Sequence, residues 1–167
     1  MIFKRPSVRL CIVLCAGFLP APPLSAAAVS FLVLETGLTE EQGASRYSSL
    51  YESGLLDVFF DAGHIVSNAP IRRLAGVPAQ ALPDEAKGDL EAAAEGGMDY
   101  FVLARLDYAA GAAAEKPRTV FLRIFRVRPC ELIYERRYEG PALPTMDDEF
   151  LEVKQRAGAL AGHLKGK

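Results

Sequence analysis

Three groupings in the 167-residue chain have residue types that catalysis or metal binding uses. Asp57 and Asp61 stand one helical turn apart with His64 just beyond, and two carboxylates with an imidazole can ligate a divalent metal. A site needs three or four converging ligands, so the expectation is that both aspartates face water while His64 opens a strand. Glu35, Glu40 and Glu41 could be acid/base carboxylates, but they follow an apolar run and read as a polar loop. Cys130 could be a nucleophile only with a lowered thiol pKa and a partnered base, and neither His64 nor His163 can be set beside it from sequence. No G-x-S-x-G, H-E-x-x-H, C-x-x-C or glycine-rich phosphate loop occurs. The chain is therefore expected to hold no metal and no cofactor and to catalyse nothing.

The distinctive feature is charge segregation. Between Lys116 and Glu139 lie Lys116, Arg118, Arg123, Arg126, Arg128, Arg136 and Arg137 against Glu131, Glu135 and Glu139, a local net of +4. Such a field steers an acidic partner, and Arg118, Arg123, Arg126, Arg128, Arg136 and Arg137 are the candidate partner-binding residues. The competing expectation is that these arginines and glutamates pair across strands on a solvated sheet face.

These residues must be positioned by a small set of elements. Residues 29–34 are a β-branched and aromatic run that reads as a strand, and Glu35-Thr36-Gly37 as the loop after it. From Gly43 to Ala62, Tyr47, Leu50, Tyr51, Gly54, Leu55, Val58 and Phe59 make one helical face that stops at Gly63. His64 to Asn68 fits a second strand, and Asp84 to Glu95 a second helix with acids in its first turn. Residues 99–108 read as a third strand, and 119–127 with 132–138 as a hairpin. Thr145 and Asp148 then suggest the cap of a last helix with Phe150, Val153, Ala157, Leu160, Ala161 and Leu164 as its stripe. The expected order is β-α-β-α-β-β-β-α: an α/β (α+β) fold, one mixed sheet of about five strands with helices packed on it.

At 50% hydrophobic and 24% charged residues, the composition excludes a disordered acidic or basic tail. Lys4, Arg5 and Arg9 precede an uncharged apolar run from Leu10 to Leu19, and Ser25 to Ala28 are small, the pattern of an export leader cleaved after Ala27 or Ala28. Residues 1–28 are thus expected to be a signal peptide and residues 29–167 a single domain. The apolar run is shorter than the roughly 20 residues a membrane-spanning helix needs, and no other transmembrane segment is expected. Cys15 follows a large Leu14 where a lipoprotein signal wants a small residue, which argues against lipidation there. Without the leader, 16 positive residues face 21 negative ones, a net near −5. Cys130 is then the lone cysteine, free or in an intermolecular disulfide. A negative net charge and an exported chain fit nucleic acid poorly.

Two passages resemble a known group. Ala92-Ala-Ala-Glu-Gly-Gly-Met-Asp99-Tyr-Phe-Val-Leu-Ala-Arg105 is similar to its helix, glycine, Asp-Tyr, strand passage, and Phe121-Leu-Arg-Ile-Phe-Arg-Val-Arg-Pro-Cys-Glu-Leu-Ile-Tyr134 to the hairpin that follows. The group comprises small α/β domains of the bacterial envelope: the N-terminal domain of the Tol-system translocation protein, the periplasmic domain of the curli secretion lipoprotein, and the lipoprotein activators of peptidoglycan synthases. The resemblance implies a non-enzymatic domain that docks on other envelope proteins, periplasmic or secreted. It departs from the group where Pro129-Cys130 occupies a turn that usually carries glycine, and no segment is suited to a membrane barrel. Anionic lipid or glycan surfaces are further candidate partners. The alternative function is a periplasmic small-molecule or lipid-binding protein, with a pocket lined by Phe59, Phe60, Phe101 and Tyr108.

Overall fold

The computed structural model describes residues 26–38, 45–109, 116–142 and 145–164. The leader's basic and apolar segments, Cys15, Glu40 and Glu41 lie outside the described residues. The order is β1 (Ala28–Thr36), α1 (Arg46–Asp61), β2 (Ile65–Asn68), β3 (Arg72–Leu74), α2 (Asp84–Glu95), β4 (Tyr100–Asp107), β5 (Thr119–Arg126), β6 (Glu131–Glu139) and α3 (Met146–Leu164). One mixed sheet runs β2-β1-β4-β5-β6, with β3 pairing β1 beyond the end of β2. The strands β2, β3 and β4 are parallel to β1, whereas β4, β5 and β6 are antiparallel.

The sheet has one strand more than the sequence pattern suggests. β3 is three residues long and begins with two arginines, too short and too polar for alternation to reveal. It is held by pairing with Leu34, Glu35 and Thr36 of β1 and by ion pairs from both of its arginines.

The chain leaves β1 through α1 toward β2 on one side, then passes from β3 through α2 to β4 on the other. Right-handed crossovers that move in opposite directions along a sheet place their helices on opposite faces. Accordingly, Tyr51, Leu55 and Phe59 of α1 and Val153, Ala157 and Leu160 of α3 bury Phe31, Val102 and Leu122 on one face. Ala86, Leu90 and Ala93 of α2 cover Leu32, Leu34, Phe101 and Leu103 on the other. The helices α1 and α3 approach closely at Gly54, where an added Cβ would stand 2.6 Å from Val153 Cγ1.

Local signals explain the helix ends. The Ser45 hydroxyl accepts from Tyr47 N at the start of α1, and Thr145 Oγ1 accepts from Asp148 N at the start of α3. The α2 helix ends against Gly96-Gly97, and Gly97 takes a positive φ of 74°. No helix among the described residues is long and apolar enough to cross a membrane.

Candidate functional site

The carboxyl ends of the parallel strands hold a buried polar network. Glu35 is 0% exposed and lies within β1, not in the loop that its neighbours suggest. One oxygen accepts from Ser45 N at 3.0 Å and from the Ser48 hydroxyl. The other accepts from Arg73 Nε at 2.9 Å and Nη2 at 2.7 Å. Beside it, Thr36 Oγ1 donates to Asp107 Oδ1 at 2.7 Å, Arg105 Nη2 donates to Asp107 Oδ2 at 3.0 Å, and Tyr108 donates to Ser45 Oγ at 2.6 Å. Burial pushes the Tyr108 phenol well above its ordinary pKa. Ligands often bind at this end of open α/β sheets, but both Glu35 oxygens are committed, so its chemistry here is to tie β1, β3 and the start of α1 together.

The second polar assembly lies on the sheet face that α2 covers only in part. The α2 helix packs chiefly on β1 and β4, and on that face Leu132, Glu135 and Arg137 of β6 are exposed. Register aligns Arg105 of β4, Phe121 of β5 and Arg137 of β6 across three strands, with Arg123 two residues along β5. The guanidinium carbons of Arg105, Arg123 and Arg137 stand 4.3, 4.8 and 5.9 Å from the Phe121 ring centre. Arg105 and Arg123 are only 4% and 3% exposed, so their charges are largely desolvated. Arg105 pairs with Asp107, and Arg123 pairs with Glu135. Arg137 lies 3.8 Å from Glu139, both on the exposed side. Burial lowers the pKa of Arg123, Glu135 opposes that shift, and Arg105 adds to it. Its Nη1 is buried without a hydrogen-bond partner among the described residues.

The six basic residues singled out from the sequence therefore do not form one patch. Arg123 and Arg137 meet at Phe121 with Arg105, which lies outside the basic stretch. Arg126 reaches Glu131 at 2.8 Å, and Arg128 donates to Ala94 O at 2.6 Å, bracing the carboxyl end of α2. These two residues line a cavity of about 390 Å³ with Met98, Asp99 and Tyr100. Arg136 projects from the opposite face, over the Tyr138 ring, and Arg118 is exposed before β5. Cross-strand pairing accounts for Arg123 and Arg126.

The remaining candidates separate in space. Asp57 pairs with Lys154 at 2.9 Å, while His64 is buried beside Phe59 and accepts from Ala27 N at 3.2 Å. Among the described residues, no three His, Cys, Asp or Glu side chains are grouped so as to hold a metal ion. Phe59 and Phe101 belong to cores on opposite faces and Phe60 is 69% exposed, so the four aromatics proposed from sequence do not line one pocket. Cys130 is exposed in the hairpin turn.

A family described as "Uncharacterised protein" matches residues 29–128, from β1 through the end of β5. The chain belongs to this family. No curated protein matches it. Its fold is similar to that of a PelC dodecamer from Paraburkholderia phytofirmans, with a TM-score of 0.49, 11% identity, and coverage of 81% of this chain and 89% of that one. It is also similar to the LpoB C-terminal domain from Escherichia coli, with a TM-score of 0.42, 14% identity, and coverage of 75% and 90%. TolB from Acinetobacter baumannii gives a TM-score of 0.37 at 14% identity, covering 82% of this chain and 28% of that one.

Proposed function

We propose that the chain is an exported module of the bacterial envelope that binds a protein partner and carries out no reaction. The observation that carries the reading is the arginine-ringed Phe121 on a sheet face that α2 leaves partly open. An aromatic ring beside guanidinium groups joins residue types enriched in protein interfaces, and Arg137 leaves one of those guanidinium groups exposed to a partner. The partner surface that fits is acidic, with an Asp or Glu side chain directed at the exposed Arg137. Export is supported by the basic residues Lys4, Arg5 and Arg9, the apolar run that follows and the small residues before β1.

Arg137 tests this reading because it is exposed on the open face, while Arg136 is exposed on the opposite one. Loss of a hot-spot arginine costs about 2 kcal/mol or more, so Arg137→Glu should lower capture of an envelope protein about 30-fold or more at low salt. Arg136→Glu should leave capture within about twofold. Equal effects of the two changes, or retention only by anionic lipid or glycan, would remove the protein-docking reading.

A further inference from the structure

We infer that the export leader is cut at the Ala27–Ala28 peptide bond and that Asp99 is the carboxylate built to receive the new amino terminus, an inference that rests on the export reading above. Leader peptidases require small residues at the first and third positions before the cut. Two bonds in the small-residue run meet that requirement: Ala27–Ala28, preceded by Ser25 and Ala27, and Ala28–Val29, preceded by Ala26 and Ala28.

The folded domain distinguishes them. Ala28 N donates to Asp99 Oδ2 at 2.8 Å, and Asp99 N donates to Ala28 O at 2.8 Å, so the side chain and the backbone of one residue bracket Ala28. The carbonyl of Asp99 in turn accepts from Val127 N at 3.0 Å, which anchors the bracket to the end of β5. A cut after Ala28 discards both Asp99 bonds. A cut after Ala27 keeps both and converts the donor from a neutral amide to an ammonium group. In that hydrolysis the oxygen of water joins the Ala27 carbonyl carbon, the C–N bond breaks, and the carboxyl proton passes to the freed amine, leaving Ala27 as carboxylate and Ala28 as ammonium. An ammonium facing a carboxylate makes a hydrogen bond about twice as strong as a neutral one. The bonds given up are Ile65 N to Ala27 O at 3.0 Å, at the edge strand β2, where Ile65 is exposed and water can replace it, and the longer bond from Ala27 N to the buried His64 Nδ1 at 3.2 Å.

The test is to express the full chain in a Gram-negative host, measure the intact mass of the product, and titrate its α-amine by NMR. Processing should yield a chain that begins at Ala28. A chain beginning at Val29 or elsewhere overturns the assignment while the export reading stands, and an unprocessed cytoplasmic chain overturns both. In the processed chain the α-amine should titrate above the usual range of about 7.7–8.0, by about half a unit or more. Asp99→Asn retains an amide oxygen to accept from the nitrogen and should return the amine to its usual range. An amine that titrates alike in the two chains overturns the role of Asp99.

Discussion

Removal of Glu35 tests whether the polar network at the carboxyl ends of the strands holds the domain together. The Glu35→Ala change deletes the acceptor of four hydrogen bonds: those from Ser45 N, the Ser48 hydroxyl, and Arg73 Nε and Nη2. Breaking a buried ion pair by removing one partner costs about 3–5 kcal/mol. Arg73 is 20% exposed, so water reaches part of the site and the lower end, about 3 kcal/mol, applies. With a urea slope of about 2 kcal/mol/M, the unfolding midpoint should fall by about 1.5 M. Glu35→Gln keeps an amide oxygen for Ser45 and Ser48 but turns an NH2 donor toward Arg73 in place of the second acceptor, so it should cost somewhat less than Glu35→Ala. Urea denaturation followed by circular dichroism reads both changes. A loss below about 1 kcal/mol for Glu35→Ala, or a larger loss for the glutamine, would refute the argument that the network ties β1 to β3 and α1.

Two further changes probe the other face. Gly54→Ala gains about 1 kcal/mol of helix propensity but sets a Cβ 2.6 Å from Val153 Cγ1, so net destabilisation of about 1–2 kcal/mol is expected, partly relieved by adding Val153→Ala. A stabilised single variant in the same urea assay would mean that α1 and α3 are not in close contact there. Burial works against the charge of Glu149, but the Lys116 ammonium, which donates to it at 2.7 Å, holds its carboxyl below the ordinary pKa. A depressed pKa contributes stability that is present above the unfolded value of about 4.3 and is lost as pH falls through the folded value. Stability should therefore drop on acidification in the wild type and drop less steeply in Glu149→Gln; parallel pH profiles would remove Glu149 from the acid-sensitive groups.

The readable parts of the fold were those specified by neighbours in sequence. Thr145 and Asp148 announce α3, and the stripe from Val153 to Leu164 states which face it buries. The hairpin was visible from two apolar-alternating runs around a proline turn. Glu35 was not, because its partner Arg73 lies 38 residues away on a strand too short to show a pattern. The arginine ring was half visible. Arg123 and Arg137 stood out as charges, but their convergence depends on a bulge at Ile124/Phe125 that shifts the β5–β6 register. Counting back from the turn without that shift would set Arg136 opposite Phe121 and leave Arg137 on the other face. Arg105 sits in an otherwise apolar strand, and only the three-strand alignment gives it a place beside Phe121.

The central claim is that the open face around Phe121 is where a protein partner docks. The direct measurement is photo-crosslinking in the native host, with a photoreactive residue at position 137 and a control at position 91 on the exposed side of α2. The account predicts a discrete adduct with an envelope protein at position 137, weakened by salt and absent from position 91. No adduct at position 137, or the same adducts at both positions, would contradict it.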